Sequence, residues 1–419
     1  MVSRLGVTAS LGWVSADARI VILARALRTF AMGFLAVILA VYLARAGFSL
    51  TQIGAFFSVG VAGSGIFAFL VTLGAERIGR RRLLVGFSLL SAAAGLALMV
   101  TDLAAVLMLF AFMGTLSGGG GGAAGPAQPL EQAALADAVT PDRRTDLFAT
   151  YRIVTTAAGA LGALAAGLPA VLGGRFGLDE NGAYQVMFAV FATSMVLVAL
   201  LYTRLSSSVE ATGEEATAER RAWTNPLSLP SRRSIFTLTG LFSVDHFAGQ
   251  LVIQSLVAYW FTTRFDLEIG SLAFVFFFSQ LLAAISLWLA AKIANRIGLI
   301  NTMVFTHIPS SIFLIAAAFA PTAWAAIMFW QLRAFLGQMD VPTRDSYTMA
   351  IVGPQERVAM AGINMTGRSL AGTAGPWVAT TLWTTISAAA PFVAAGGLKI
   401  VYDVSLYFMF RNVKPPEEQ

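Results

Sequence analysis

Charged side chains inside long apolar stretches are the residues of this sequence that can do chemistry. Arg28, Glu131, Asp245 and Arg344 each stand within a run of mainly apolar and small residues. A charge near the centre of a bilayer costs about 3 kcal/mol on insertion scales, so such residues usually line a cavity or an ion pathway. An acid that takes up a proton releases its basic partner. We therefore predict that these four residues form part of a pathway for protons and a charged solute.

The spacing of these four charges shows which positions correspond to each other. Arg28 and Asp245 each lie 14 residues before a tyrosine, and Glu131 and Arg344 each follow a proline by two residues. The members of each equivalent pair have opposite signs. At 1.5 Å per residue, Arg28 and Glu131 lie about 13 and about 9 Å from the same end of their helices, which favours an ion pair between them. Asp245 would then pair with Arg344. A pair between Arg28 and Asp245 is the alternative, and static pairs that only fix helix register are another.

Further polar residues extend this group in the C-terminal part. We assign Arg333, Asp340 and His246 to the same pathway. The arginines there lack a full set of acids, which indicates an anionic or zwitterionic cargo. Lys399 and Asp403 lie four residues apart, and side chains at that spacing meet on one helix face, so we expect them to bridge each other.

The composition excludes several classes of function. The sequence has no cysteine, which excludes disulfides, thiolate metal sites and thiol catalysis. It has neither a cluster with metal-ligand spacing nor a Walker loop for phosphates, so we expect no metal, no cofactor and no enzymatic activity. The net charge of +6 is spread over short segments rather than gathered in one patch, which argues against a nucleic-acid partner.

The same composition places the chain in a membrane. Of its 419 residues, 57% are hydrophobic and only 12% are charged, too few charges for a soluble surface of that size. The apolar runs are about 20 residues or longer, which suits membrane-spanning helices rather than barrel strands. The twelve predicted spans are 19–44, 50–74, 82–101, 104–136, 146–172, 181–203, 234–261, 269–295, 299–319, 322–351, 356–382 and 388–411.

A polar segment divides these spans into two sets of six. Residues 206–233 are too charged to cross lipid, so we predict an N-terminal bundle of residues 1–205, a linker of residues 206–233 and a C-terminal bundle of residues 234–419. Basic residues concentrate in the loops on one side, and the opposite loops hold only three, so the positive-inside rule places both termini and the linker in the cytoplasm. No cleavable signal precedes the first span, which we expect to remain as an anchor in the cytoplasmic (inner) membrane. The basic residues on the predicted cytoplasmic side, apart from the linker, are Arg77, Arg80, Arg81, Arg82, Arg143, Arg144, Lys292, Arg296, Arg357, Arg411 and Lys414.

The two halves look like copies of one sequence. Residues 76–80, Glu-Arg-Ile-Gly-Arg, follow the second span, and residues 295–299, Asn-Arg-Ile-Gly-Leu, follow the eighth. Residues 72–82 also resemble the loop motif Gly-x-x-x-Asp-Arg-x-Gly-Arg-Arg of the major facilitator superfamily, with Thr72 in place of the first Gly and Glu76 in place of Asp. The residues assigned to this loop motif and its second copy are Glu76, Arg77, Gly79, Arg80, Asn295, Arg296 and Gly298.

The resemblance to this family implies an all-α membrane protein with twelve helices in two pseudo-symmetric six-helix bundles. It further implies that helices 1, 4, 7 and 10 surround a central cavity and that the loop motif controls the conformational cycle. On that basis we predict a monomeric secondary transporter, driven by the proton gradient, that exports small organic molecules by alternating access. Two alternatives stay open: a proton-coupled importer of an organic anion, and a membrane sensor that transports nothing.

Overall fold

The computed structural model describes residues 14–116, 125–138, 144–210, 230–353 and 356–413, and the regular elements of this part are all helical. Nine of its helices are long and apolar enough to cross a membrane. In the first half, spans 1 to 6 are Ala16–Arg45, Leu50–Ile78, Arg80–Val100, Ala104–Phe112 with Gln128–Asp137, Arg144–Ala165 with Leu168–Phe176, and Glu180–Thr203. In the second half, spans 7 to 12 are Arg232–Gln250 with Gln254–Phe265, Ile269–Ile297, Leu299–Phe319, Ala323–Leu336 with Asp340–Ala350, Arg357–Thr373 with Gly375–Thr385, and Ala390–Phe410.

Each predicted span has its helical counterpart, but spans 4, 5, 7, 10 and 11 consist of two helices where the sequence predicted one. In four of them a proline stands in the first turn of the second helix: Pro129, Pro169, Pro342 and Pro376. Proline fits the first turn, where its missing N–H leaves no hydrogen bond unmade, and it prevents the preceding helix from continuing. Between the two helices of span 4, residues 117–124 lie outside the described part. Span 7 breaks at Leu251–Ile253 without a proline to mark the position.

The two halves meet at the ends of the spans that lie away from the basic loops. The Ser255 hydroxyl of span 7 donates a hydrogen bond of 2.6 Å to the Ala36 carbonyl of span 1. Span 2 packs against the second helix of span 11, where a side chain at Gly54 would lie 2.8 Å from the Pro376 carbonyl oxygen. The Trp377 N–H donates to the Ser58 hydroxyl at 2.9 Å. These contacts join the two halves at the ends of the spans opposite the basic loops.

The joints between spans 2 and 3 and between spans 8 and 9 support the internal repeat. Gly79 has a φ of +97° and Gly298 a φ of +85°, values that disfavour any side chain. Glu210, which follows span 6, accepts hydrogen bonds from the backbone N–H groups of Arg80 (2.6 Å) and Arg81 (3.4 Å) at the start of span 3. A carboxylate at a helix N-terminus satisfies donors that lack helical partners.

The remaining residues of the loop motif are less informative. The side chains of Glu76 and Arg77 lie outside the described part, while Asn295 and Arg296 are exposed. Asn295 and Gly298 line a surface cavity of about 580 Å³ at the second joint. The role of the motif in the conformational cycle therefore stays a prediction.

Candidate functional site

A fully buried carboxylate organises the interior of the first half. Glu131, at the start of the second helix of span 4, is 0% exposed. Its oxygens accept from Arg28 at 2.7 Å and Arg25 at 3.4 Å, both on span 1. They also accept from the hydroxyls of Tyr202 at 2.7 Å and Tyr151 at 3.2 Å. We call these five residues the Glu131 cluster. Its single acid is saturated by four donors from three different spans.

The position of Arg28 decides between the two pairings considered from the sequence. Besides Glu131, its guanidinium donates to the Ser88 hydroxyl at 3.3 Å and to the Tyr202 hydroxyl at 3.2 Å. These partners all belong to the first half. The predicted pair within the half is therefore confirmed, and the alternative pair between Arg28 and Asp245 is not formed.

A larger group of charges fills the equivalent region of the second half. Asp245 on span 7 lies 3.1 Å from Arg344 Nη1, which confirms the second predicted pair. Arg344 is also 3.1 Å from Asp340, one helical turn away. The other Asp245 oxygen lies 2.5 Å from Lys399 Nζ and 3.8 Å from His307 Nε2.

The prediction that Lys399 and Asp403 bridge each other is wrong. Lys399 crosses to Asp245, and Asp403 lies 2.9 Å from His307 Nδ1 on span 9. Both residues of span 12 thus use partners on other spans, because those partners meet them in the protein interior, where an unpaired charge is costly. The six residues of this region form the Asp245 cluster: Asp245, His307, Asp340, Arg344, Lys399 and Asp403.

A cavity of about 230 Å³ adjoins the Asp245 cluster between spans 7, 9, 10, 11 and 12. Two arginines in its wall have no carboxylate within ion-pair distance in the described part of the chain. They are Arg333, whose guanidinium lies 4.4 Å from the centre of the Trp330 ring, and Arg368, whose Nε is buried without a hydrogen-bond partner. The charged and histidine side chains that line the cavity are Asp245, His246, His307, Arg333, Asp340, Arg344, Arg368 and Lys399.

The cavity wall includes the five residues of the second half that the sequence assigned to the pathway: Asp245, His246, Arg333, Asp340 and Arg344. The other two predicted site residues, Arg28 and Glu131, lie in their own cluster in the first half. The predicted site omitted four residues of the second half, although each is polar inside an apolar span, which is the signal that could have found them. These residues are His307, Arg368, Lys399 and Asp403.

The charges of this region do not balance. With both histidines neutral, the described cavity wall and the Asp245 cluster hold three carboxylates against four bases, which leaves one net positive charge. Such a site attracts anions, and a guanidinium can bind a carboxylate with two parallel hydrogen bonds. In the described part of the chain, no group of three or more His, Asp or Glu side chains could hold a metal ion.

Comparisons with known proteins agree with this architecture. The sequence profile of the Major Facilitator Superfamily matches residues 21–376. A membrane protein of Saccharomyces cerevisiae, described as uncharacterized, is 27% identical over 414 residues, which cover 92% of each chain. The crystal structure of a D-xylose–proton symporter superposes with a TM-score of 0.72 at 14% identity and covers 96% of this chain and 98% of its own. The nucleoside transporter NupG gives 0.70 at 14% identity, over 95% and 100%. The twelve spans of the described part are consistent with the two six-helix bundles of that fold, and the chain therefore belongs to the Major Facilitator Superfamily of transporters.

Proposed function

We propose that this protein is a proton-coupled secondary transporter that carries small organic anions or zwitterions across the cytoplasmic membrane by alternating access. One observation carries the proposal: Arg333 and Arg368 face a cavity without acidic partners, beside acids that are held only by ion pairs. A static network would have no reason to keep two such guanidinium groups unpaired in a bilayer, where a buried charge is expensive.

The two arginines supply the recognition of cargo. Their planar guanidinium groups match the geometry of a carboxylate, which a lysine at either position would match less well. The ring of Trp330 lies against Arg333 and limits its freedom before cargo arrives. A volume of about 230 Å³ admits a molecule of metabolite size.

Coupling to protons belongs, in this proposal, to the second half. Asp245 joins span 7 to span 10 through Arg344 and to span 12 through Lys399. A proton taken up by this cluster changes the charge balance around Asp245, which alters those contacts and lets the spans move relative to one another. Glu131 is a poorer candidate because it is fully enclosed by four donors, and its protonation would strand two buried arginines.

The electrostatics of the cavity bear on the direction of transport. The sequence predicted export, with import of an organic anion as the alternative. A proton bound in a cavity that is already positive strengthens the binding of an anion, and by linkage the anion strengthens the binding of the proton. Proton and anion would then cross together, and an inward proton gradient would drive import. This second candidate is the one that the cavity favours.

Reconstitution into proteoliposomes tests the function and its direction together. Carbon-14-labelled succinate, benzoate and alanine serve as a dianion, a monoanion and a zwitterion. Accumulation of any of the three when the outside is made acidic supports proton-coupled import. Efflux from preloaded vesicles driven by proton entry supports export. If no labelled probe accumulates or leaves in response to either gradient, in vesicles that contain folded protein, the proposed transport of anions or zwitterions is wrong. That result would favour a sensor role.

The topology belongs to the same proposal: both termini and residues 206–233 face the cytoplasm, and one chain contains a complete transport path. The absence of native cysteine makes Gly213→Cys a clean reporter in the linker. A membrane-impermeant maleimide should label this position only after the membrane is opened. Labelling from outside intact cells would reverse the orientation.

A further inference from the structure

We infer that His307 and Asp403 form the site that binds and releases the coupling proton. This inference rests on the proposed proton-coupled transport. It assigns the proton to a pair on spans 9 and 12. The pair that the sequence singled out, Asp245 with Arg344, lies on spans 7 and 10.

The geometry holds the imidazole between two carboxylates. Asp403 is 0% exposed, and its two oxygens lie 2.9 and 3.0 Å from His307 Nδ1. On the opposite edge of the ring, Nε2 lies 3.8 Å from an oxygen of Asp245. A neutral imidazole carries a proton on one nitrogen only, so it can donate to one of these acids while its other nitrogen presents a lone pair to the second. The imidazolium donates from Nδ1 to Asp403, and its positive charge also suits the nearby Asp245.

The charge balance around the ring favours one extra proton. The groups that face His307 are Asp245 of span 7, Asp340 and Arg344 of span 10, and Lys399 and Asp403 of span 12. These are three acids and two bases, so an imidazolium makes the cluster neutral.

The other charged neighbours are left out of this count for two reasons. Arg333 of span 10 and Arg368 of span 11 line the same cavity, and their positive charges are assigned to an anionic cargo. Span 8 also packs against span 9, but its Lys292 is exposed and lies over the Trp288 ring. The His307 imidazole is therefore the group whose protonation sets the charge of the Asp245 cluster.

Only this proton can leave readily near neutral pH. Arginine and lysine hold their protons far above neutrality in water, whereas histidine is the side chain that ordinarily titrates between about pH 5 and 8. When His307 releases the proton, the cluster is left with one uncompensated negative charge beside the cavity. That charge weakens the attraction of Arg333 and Arg368 for an anion. The proton and an anionic cargo therefore bind together and leave together.

The two histidines of the chain provide a matched pair of variants, since both line the same cavity. His246 has no carboxylate partner in the described part and lies 3.4 Å from Gln250 Nε2. Each is changed to Gln and assayed with the probe, among labelled succinate, benzoate and alanine, that the wild type accumulates. We expect His307→Gln to lose accumulation driven by the pH gradient but to keep exchange of labelled for unlabelled probe without a gradient. His246→Gln should keep the dependence of accumulation on the pH gradient, whatever it does to the affinity for the probe.

Accumulation by His307→Gln at the wild-type level overturns the inference while leaving proton-coupled transport intact. A wild type that responds to no pH gradient overturns the proposed function instead. If His307→Gln also loses exchange, the substitution has damaged more than the proton site. The inference is then tested by a measurement on the folded wild-type chain.

That measurement uses nitrogen-15-labelled histidine, because the chain gives only two imidazole signals and His246→Gln assigns them. We expect the His307 signal to titrate, with a midpoint that lies lower in Asp403→Asn than in the wild type. Asp345→Asn, which alters an exposed acid on span 10, is the control and should leave the midpoint unchanged. A His307 signal that does not titrate at any pH at which the protein stays folded, or whose midpoint is the same in Asp403→Asn, overturns the assignment of the proton to this pair.

Discussion

The Glu131 and Asp245 clusters occupy equivalent places in the two halves and differ in what they leave unsatisfied. In the first half, one carboxylate is enclosed by two arginines and two tyrosines. In the second half, three carboxylates, two bases and a histidine adjoin a cavity in which two further arginines are unpaired. A saturated buried cluster fixes the packing of helices, whereas a cluster with spare charge can respond to a ligand. Equivalent positions with charges of opposite sign thus support different roles. The first half fixes the packing of its helices, and the second half can respond to a ligand.

The largest effect expected from this comparison is the loss of coupling in Asp245→Asn. The amide cannot hold Lys399 and Arg344 as the carboxylate does, so accumulation driven by a pH gradient should fall to the level of empty vesicles. Glu131→Gln is the counterpart in the first half and should still respond to the gradient, at a lower yield of folded protein. Proteoliposome uptake with and without an imposed gradient measures both. Equal loss of gradient dependence in the two variants would remove the distinction between the halves.

The next largest effect concerns the stability of the first half. Glu131→Ala leaves two buried arginines without their acid and should destabilise the fold by about 3–5 kcal/mol. Arg28→Ala alone should also be harmful, and the double variant should recover part of the loss, since one unpaired charge is removed with its partner. Thermal unfolding in detergent, monitored by size-exclusion chromatography, ranks the stabilities of the two single variants and the double variant. A double variant less stable than both single variants would show that the two residues do not act as a pair. A recovered double variant that also transports normally would confirm a purely structural role.

Changes at the unpaired arginines should affect cargo and spare the fold. Arg333→Ala and Arg368→Ala should each raise the KM for an anionic probe at least about tenfold, which corresponds to roughly 1.4 kcal/mol of binding free energy. Stability should change little, because neither arginine has a carboxylate partner to strand. Arg264→Ala is the control: this arginine is exposed at the opposite end of span 7 and donates to the Ala320 carbonyl. A KM that is unchanged in both cavity variants would place the cargo elsewhere.

The smallest effect lies at the start of span 11. Ser231 and Gly353 donate three hydrogen bonds to the Glu356 carboxylate, and these bonds hold the pKa of that group below its ordinary value. A lowered folded-state pKa contributes stability above the unfolded value of about 4.3, and this contribution is lost as the pH falls through the folded value. The Tm of the wild type should therefore fall more steeply below about pH 5 than that of Glu356→Gln. Parallel pH profiles would show that this contact adds no stability.

Much of the architecture follows from local properties of the chain. Apolar runs of sufficient length determine the spans, and the repeated spacing around Arg28 and Asp245 determines which positions correspond. The depth of Arg28 and Glu131 within their spans was enough to predict their pairing, because helical rise converts residue number into distance from the membrane surface. The positive φ angles at Gly79 and Gly298 confirm a repeat that the sequence had already indicated.

The partners of Lys399 and Asp403 were decided only by the tertiary structure. Their spacing made a bridge on one helix the natural expectation, yet each side chain contacts a residue of another span. A long side chain in a desolvated interior pairs with whichever opposite charge the packing of several helices brings within reach, and that choice depends on helix rotation and tilt, which periodicity does not specify. The cavity has the same origin. Arg333 and Arg368 are distant in the sequence, and only the assembly of spans 7, 9, 10, 11 and 12 places them in the wall of one cavity.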